Sequence, residues 1–453
     1  MEDKDKKDII DDKNGRRIYR RRRRIRNQIL AYLVALLLVA GLVVGVDYGI
    51  KLAMEQYRAW QEAEEEEPEQ PPIDIVEEDP YPEDEDENGD GGEEEEEPPD
   101  DDPVPQLSEL DIFVEDKINE MSLEHKIAGL FFITPDSLTG ASPAVRAGSA
   151  TEERMQEYPV GGLIYFAGNI QSRNQLTEML ANTRSYSPYP IFLAVDEEGG
   201  SVARIARSNL AENVGPMGDI GANGDLGAAF EAGQTIGEYL SELGFDTNFA
   251  PVADVLADAD NQTIGNRSFG TDASMVADMV AAFIGGAKEA GIRTSAKHFP
   301  GLGGTTVDTH VGMATSERTL EEMRSFELLP FIAAIESGVE FIMLGHLLLP
   351  AISGDDTPAS LSSIIVTDLL REELGFGGII ITDALNMGAL NDYASAEASI
   401  IAIKAGVDML LMPANFIEAY NGLLEAVTSG EISEERINES LRRIFRVKYS
   451  IAD

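Results

Sequence analysis

Short apolar runs alternate with longer amphipathic segments along residues 107–453. Apolar runs of this length predict buried strands, and apolar residues at three- and four-residue spacing predict helices. Strands that alternate with helices predict parallel βαβ units, and eight such units predict an α/β fold of the (β/α)8 barrel type. The predicted strands are Ile127–Thr134, Val160–Phe166, Ile191–Asp196, Phe245–Asn248, Arg293–His298, Phe341–His346, Gly378–Asp383 and Val407–Met412. The predicted helices include Asp225–Leu243, Ala273–Ala290, Leu320–Ser337, Ser362–Glu373 and Ser395–Ala405.

Most of the predicted strands end in polar or charged residues. A barrel brings the C-terminal ends of its strands to one rim, so these residues predict a functional site there. A doubly wound open sheet is the alternative fold, but no Gly-x-Gly-x-x-Gly motif follows the first predicted strand. The polar strand ends are Asp196, Asn248 with the following Asp254, Lys297 with His298, His346, and Asp383.

An uncharged segment at residues 29–46 precedes the globular part. As a helix it would span about 27 Å, close to the hydrocarbon core of a bilayer. Eight arginines lie between Arg16 and Arg26. The positive-inside rule therefore predicts a basic cytoplasmic tail at 1–28 and a single-pass anchor at 29–46, with the rest of the chain outside the cell membrane. A cleaved signal peptide and a buried soluble helix are the alternatives, but the long run and its arginine flank favour an uncleaved anchor.

Residues 47–106 are predicted to be an acidic, disordered linker to a barrel domain at 107–453. Positions 62–102 carry 24 acidic residues and no basic residue. Such a segment buries too little apolar surface to offset its chain entropy, so a solvated spacer is the favoured interpretation over metal buffering or partner binding. The net charge of −47 disfavours nucleic acid as a partner, and the absence of cysteine excludes disulfides and thiolate metal sites.

The stretch Lys297–Gly301, followed by Asp308–His310, carries the strongest chemical signal. The chain has four histidines, and two of them lie in these fourteen residues. Histidine shares its proton near neutrality, and here one imidazole follows a lysine and the other follows an aspartate by two positions. The cluster predicts proton-transfer chemistry. Of the other two histidines, His346 is predicted to support the site and His125 to be structural.

Several motifs, taken in order, resemble those of family-3 glycoside hydrolases, and within them the β-N-acetylglucosaminidase branch. The resemblance runs from about Leu110 to Tyr449, which is essentially the whole globular part. It is carried by Ala194–Arg204, Asn248–Val255, Asn266–Gly270, Lys297–Gly301, Asp308–His310, Ile381–Met387 and Gly406–Pro413. Two departures concern the shape of the leaving-group subsite: Leu302–Gly304 replaces a His-Gly-Asp-like segment, and Met313–Thr315 stands where a proline is often found.

The resemblance implies a retaining mechanism without metal or cofactor, in which Asp383 is the nucleophile. His310 is implied as the acid/base, with Asp308 holding its imidazole. The terminal sugar is implied to bind Asp196, Arg204, Arg267, Lys297 and His298. The alternatives are an N-cap role for Asp383, and ion pairs with the acidic body for Arg204 and Arg267.

The implied activity is that of an exo-acting β-N-acetylglucosaminidase that removes terminal N-acetylglucosamine from cell-wall or chitin-type glycans. A β-glucosidase and a phosphorylase of the same fold are alternatives within the family. A surface protein that binds sugar without catalysis is the alternative from another class. The sequence leaves the natural glycan, the leaving group and the oligomeric state open.

Overall fold

The computed structural model of the chain describes residues 108–305, 307–309 and 312–450. The predicted tail, membrane anchor and acidic linker lie outside these ranges, and so does His310. Within the described ranges, no helix combines the length and the apolar character that a membrane span requires.

Twelve strands occur in the described residues, and eight of them form one mostly parallel sheet. From the first to the seventh barrel strand, each strand pairs with the next one along the chain, and the eighth pairs with the first. The barrel strands are β1 (Phe131–Ile133), β2 (Gly162–Tyr165), β3 (Phe192–Val195), β6 (Thr247–Asn248), β7 (Arg293–Phe299), β9 (Phe341–Leu344), β11 (Ile379–Thr382) and β12 (Leu410–Leu411). The others form two small pairs, β4 (Glu197–Gly199) with β5 (Val202–Ala203) and β8 (Ala314–Thr315) with β10 (Leu347–Leu348).

The two ends of the eight-stranded sheet approach each other, so the sheet is nearly closed. The last strand, β12, pairs in parallel with β1 through Phe131 and Leu410. On its other side, an isolated parallel bridge joins Ile381 of β11 to Met409, which precedes β12. The predicted barrel is thus confirmed as a mostly parallel, nearly closed α/β barrel, and the open-sheet alternative is wrong.

Phenylalanine rings fill the barrel interior. The ring centroids of Phe192 on β3 and Phe341 on β9 are 5.0 Å apart, and those of Phe132 and Phe249 are also 5.0 Å apart. Because β3 and β9 are not neighbours in the sheet, their side chains can meet only across the interior. The barrel is therefore a packed core and not a pore, which leaves its rim as the place for a site.

The helices surround the sheet and mostly match the predicted segments. Two predictions differ from the structure. The segment Leu320–Ser337 forms two helices and not one, because Pro330 has no N–H to continue a helix but fits the first turn of a new one. Residues Ile364–Glu373 are π-helical. The α-helices are α1 (Glu109–Asn119), α2 (Leu123–Ala128), α3 (Pro135–Thr139), α4 (Ser149–Glu157), α5 (Arg173–Tyr186), α6 (Met217–Gly221), α7 (Leu226–Leu243), α8 (Ala273–Glu289), α9 (Leu320–Arg324), α10 (Leu329–Glu336), α11 (Pro350–Ser353), α12 (Ser395–Ala405), α13 (Phe416–Thr428) and α14 (Glu434–Tyr449).

Candidate active site

A cavity opens at the C-terminal ends of the barrel strands, where the sequence predicts a site. Its volume is about 380 Å³, within the range of roughly 300–1,000 Å³ that is usual for small-molecule sites. The lining combines polar and charged groups with an apolar remainder. The polar members are Asp196, Glu198, Arg204, Arg267, Lys297, His298, Asp383 and Asn386, and the apolar members are Ile164, Phe166, Val202, Met343, Ala384, Met387, Leu411 and Met412.

Six of the predicted site residues therefore line one cavity, although they are spread over 188 positions of the chain. They come together because each lies at or just beyond the end of a barrel strand or in a loop on the same rim. These six are Asp196, Arg204, Arg267, Lys297, His298 and Asp383.

Lys297 lies at the centre of a buried network of four charges. Its Nζ is 2.9 Å from Oδ1 of Asp196 and 2.7 Å from Oε1 of Glu198. Arg267 approaches the same Glu198 with two parallel bonds, from Nε to Oε2 at 2.8 Å and from Nη2 to Oε1 at 2.9 Å. The ion-pair alternative for Arg267 is thus realised, but its partner is a residue of the cavity wall and not of the outer surface.

The network keeps its members charged in spite of their burial. Burial alone would raise the pKa of Glu198, but the adjacent Lys297 and Arg267 lower it well below its ordinary range. Burial alone would lower the pKa of Lys297, yet Asp196 and Glu198 raise it above its ordinary value. A fixed set of cations and carboxylates of this kind can orient the hydroxyl groups of a ligand without moving.

Arg204 enters the cavity from the turn after β5. Its Nη2 is 3.9 Å from Oδ2 of Asp196, and its guanidinium lies 5.7 Å from the centre of the Phe166 ring. Its Nε is buried and has no hydrogen-bond partner. Glu197 holds the turn in place, because its carboxylate accepts bonds from the backbone N–H groups of the two residues that follow Arg204. The buried Nε–H of Arg204 therefore has no acceptor among the described residues.

Asp254 holds His298 against the cavity. The carboxylate is fully buried, and its Oδ2 is 2.7 Å from Nδ1 of the imidazole. The same oxygen accepts a bond from the backbone N–H of His298 at 3.2 Å, and Oδ1 accepts one from the N–H of Leu302 at 2.6 Å.

Asp383 directly follows β11 and lines the cavity. Its backbone N–H donates to the carbonyl of Leu344 at 2.8 Å, and its Oδ1 accepts a bond from the N–H of Ala384 at 2.7 Å. The next helix, α12, begins at Ser395 with Ala394 as its N-cap, so the N-cap alternative for Asp383 is wrong.

The surroundings of Asp383 favour its ionised form. Burial alone would raise its pKa, but the net effect is a pKa below the ordinary value. The imidazoles of His298 and His346 have the largest lowering effect. The N–H of Ala384 and the ammonium of Lys297 add to it. At neutral pH this side chain is a carboxylate, which is the form that can attack a carbon centre.

His346 is buried below the loop that carries Asp383. Its Nδ1 is 2.7 Å from Oγ of Ser360, and its Nε2 is 3.1 Å from the carbonyl oxygen of Ala384. Both ring nitrogens have protein partners, as expected for a residue that supports the site. His125 lies elsewhere, with its Nδ1 3.1 Å from the hydroxyl of Tyr189.

The segment Asp308–Thr309 lies next to the turn that follows Asp383. The N–H of Ala389, in the turn Gly388–Leu390, donates to the carbonyl of Thr309 at 3.1 Å. Because His310 lies outside the described residues, the Asp308–His310 dyad stays a prediction.

Two buried carboxylates of the site were not chosen from the sequence. Glu198 follows Glu197 in the chain, and nothing in the sequence says which of the two faces the cavity. Asp254 is recognisable in the sequence only as a polar residue beyond a strand end, and the sequence gives no sign that His298 and Leu302 bind to it. In the described ranges, no cluster of three or more His, Asp or Glu side chains could hold a metal ion.

Comparison with known proteins gives consistent matches to one family. A family model described as "Glycosyl hydrolase family 3 N terminal domain" matches residues 113–447. "Beta-hexosaminidase A" of Pseudoalteromonas piscicida is 33% identical over 326 residues, which cover 65% of this chain and 54% of that protein. A "Beta-hexosaminidase" of Stenotrophomonas maltophilia (strain R551-3) is 35% identical over 265 residues, which cover 57% of this chain and 77% of that protein.

Comparison with solved structures also gives matches to family-3 glycoside hydrolases. A glycoside hydrolase family 3 beta-N-acetylglucosaminidase from Paenibacillus sp. str. FPU-7 matches with a TM-score of 0.67 and 34% identity, over 72% of this chain and 62% of that one. A family-3 glycosyl hydrolase from Mycobacterium smegmatis matches with a TM-score of 0.65 and 30% identity, over 72% of this chain and 97% of that one. The chain thus spans about half the length of the Pseudoalteromonas relative and less than two thirds of the Paenibacillus chain.

Proposed function

The chain belongs to glycosyl hydrolase family 3, and on that premise we propose that it is an exo-acting, retaining β-N-acetylglucosaminidase. The observation that carries the proposal is the position of Asp383. Its carboxylate lies in the rim cavity, is kept ionised by its surroundings, and shares that cavity with the network around Lys297. The substrates are proposed to be terminal N-acetylglucosamine residues of cell-wall or chitin-type glycans.

In the proposed first step, an Oδ atom of Asp383 attacks the anomeric carbon of the bound sugar. The new carbon–oxygen bond forms as the glycosidic bond breaks, and the electron pair of that bond leaves with the oxygen of the departing group. His310 donates the proton which that oxygen needs, while Asp308 stabilises the imidazolium. In the second step, His310 takes a proton from water as the water oxygen attacks the same carbon. The bond from that carbon to Asp383 breaks, its electron pair returns to the carboxylate, and the sugar leaves with its configuration retained.

The size of the cavity supports exo action. At about 380 Å³ it lies near the lower end of the range for ligand sites, and packed phenylalanine rings occupy the barrel below it. A cavity that is closed at its base holds the end of a glycan and not its middle.

The lining supports a 2-acetamido sugar. Hydroxyl groups can bond to the polar side chains of Asp196, Lys297 and Arg204, which line the cavity. An acetamide adds a methyl group, for which Met343, Met387 and Met412 provide apolar surface in the same cavity. The relatives named as beta-hexosaminidases agree with this assignment.

The test is a comparison of two chromogenic substrates, a β-N-acetylglucosaminide and the matching β-glucoside, with and without inorganic phosphate. Release of free N-acetylglucosamine at a rate that phosphate does not change supports hydrolysis. A sugar phosphate as product would replace the proposal with phosphorolysis. Saturable binding of N-acetylglucosamine without any turnover would replace it with a sugar-binding role.

We also propose that residues 29–46 anchor the protein with its barrel outside the cell membrane. The support is the arginine-rich segment 16–26 before an uncharged run. A protease added to intact expressing cells is expected to cut the acidic segment 62–102 and release an active domain. Protection of the domain until the membrane is broken would reverse the proposed topology.

A further inference from the structure

The carboxylate of Asp254 makes three hydrogen bonds, and all three go to residues 298–302. Oδ2 is 2.7 Å from Nδ1 of His298 and accepts the backbone N–H of the same residue, while Oδ1 accepts the N–H of Leu302. Asp254 itself has no exposed surface, so it does not reach the cavity that His298 lines.

We propose that Asp254 is a positioning residue that fixes the tautomer of His298, so that Nε2 of the imidazole faces the bound sugar as a hydrogen-bond acceptor. The contact with the sugar rests on the function proposed above. The tautomer does not, because it follows from the protein alone.

What each group can donate determines the tautomer of His298. An ionised carboxylate only accepts hydrogen bonds, so the ring nitrogen at 2.7 Å from Asp254 must carry the proton. In a neutral imidazole the other nitrogen, Nε2, then has only its lone pair, which can accept a bond from a sugar hydroxyl. The other charged side chains near the ring are Asp383, Lys297 and Glu198, and all three line the cavity. His346, beyond the end of the next strand, does not line it.

An acceptor at this position complements the rest of the polar wall. Lys297, Arg204 and Arg267 present only donors, and the two carboxylates of the network already accept bonds from those cations. A sugar hydroxyl is both donor and acceptor, so it needs a partner of each kind to be fully satisfied.

The same carboxylate also fixes the start of the loop that leads to Asp308. The N–H of Leu302 donates to Asp254, and the carbonyl of Leu302 accepts a bond from Nδ2 of Asn261 at 2.8 Å. At Gly303 an added Cβ would lie 1.8 Å from the carbonyl oxygen of Val255, so only glycine fits there. The same buried carboxylate therefore contacts both the sugar-binding ring and the start of this loop.

Direct observation of the tautomer is the primary test. The chain has only four histidines, so ¹⁵N-labelled imidazole signals can be assigned with a His298→Gln variant. In spectra recorded at alkaline pH, where the imidazole signals no longer change with pH, the His298 ring is expected to carry its proton on Nδ1. In Asp254→Asn the amide can donate to Nδ1, so the proton is expected to move to Nε2. A wild-type ring with its proton on Nε2 or on both nitrogens, or an unchanged ring in Asp254→Asn, would overturn the proposal.

Kinetics supply the second test. Asp254→Asn is isosteric and keeps an acceptor for Leu302, and it is expected to lower kcat/KM by about 10- to 100-fold, as is usual for partners of an oriented histidine. Among monodeoxy analogues of the substrate, the loss is expected to vanish for the one that lacks the hydroxyl bound to Nε2. An equal loss on every analogue would mean that Asp254 acts on the fold alone, which contradicts the proposal.

Glu340→Gln provides a matched control. Glu340 is a half-buried residue whose carboxylate accepts a bond from the N–H of Thr294, at the opposite end of β7. Its amide variant is expected to leave both the His298 tautomer and kcat/KM unchanged. If the wild-type protein turns over no glycoside at all, the proposed function fails, while the imidazole spectra still decide the proposal about Asp254.

Discussion

The ammonium group of Lys297 lies 2.7 Å from Oε1 of Glu198, and both side chains are almost completely buried. Arg267 binds the same carboxylate through two nitrogen atoms. Glu198 thus forms ion pairs with two cations at the wall of the cavity. A buried ion pair is strongly destabilised when one partner is removed, because the other charge is left without compensation.

Glu198→Gln is therefore expected to destabilise the folded domain by about 3–5 kcal/mol at neutral pH. The folded pKa of Glu198 is lower than the unfolded value of about 4.3, so its stabilising contribution is full above that value and is lost as the pH falls through the folded pKa. Urea unfolding at several pH values measures this. The difference between wild type and variant is expected to be largest above about pH 4.3 and to narrow in stronger acid. A difference that is constant with pH would show that packing, and not charge, is responsible.

Asp383→Ala is expected to lower turnover by on the order of 10³-fold or more while the fold is retained. The physical reason is that, of the three carboxylates among the described residues that line the cavity, Asp196 and Glu198 are ion-paired with Lys297 and Asp383 is not. Added azide can take the place of the missing nucleophile, and it is expected to restore activity and to give a glycosyl azide of inverted configuration. Near-wild-type rates without azide would remove Asp383 from the nucleophile role.

His310→Ala is expected to impair hydrolysis by about 10²- to 10⁴-fold on substrates with poor leaving groups, and much less on those with good ones. Good leaving groups need little protonation, so they depend less on a general acid. Rates for a series of aryl glycosides measure this dependence. Asp308→Asn is expected to give the same dependence in a milder form, and a fully active Asp308→Asn enzyme would reject the dyad.

Asp408 provides a test of stability far from the cavity, because it precedes β12 and so lies at the opposite end of the barrel. It is fully buried, and its carboxylate is 2.6 Å from Nη2 of Arg371 and 3.0 Å from Nη1 of Arg443. Asp408→Ala leaves these cations without their partner and is expected to cost about 3–5 kcal/mol in the free energy of unfolding. At temperatures where the variant stays folded, its kcat and KM are expected to match the wild type. A changed KM would mean that the cluster also shapes the cavity.

The architecture and much of the site follow from the sequence because both depend on local patterns. Each barrel strand is an apolar run, and a residue such as Asp383 is recognisable as a polar group directly after one. The break at Pro330 was missed because the apolar periodicity continues through it. The roles of Glu198 and Asp254 depend on tertiary contacts, with Lys297 and with His298 respectively. Residues in such contacts are far apart in the sequence and show no regular spacing from which the contact could be predicted.

Preference for the acetamido sugar is expected to depend on Met412. This residue lines the cavity with a backbone φ of 46°, a left-handed conformation that costs energy for a residue with a Cβ. Wild type is expected to favour the β-N-acetylglucosaminide over the β-glucoside by at least about tenfold, since a site that hydrogen-bonds an amide is left with unpaired groups when a hydroxyl replaces it.

Met412→Gly removes apolar surface without backbone strain. The variant is expected to narrow the preference by about three- to tenfold, which corresponds to one or two buried methylene groups. The narrowing should come from a higher KM for the acetamido substrate, with the glucoside little changed. Met412→Ala removes nearly the same side-chain atoms but retains a residue with a Cβ at the strained φ. It is therefore expected to show the same decrease in preference for the acetamido substrate, with a lower Tm than Met412→Gly. Equal losses on both substrates would mean that Met412 shapes the whole cavity and does not contact the acetamide.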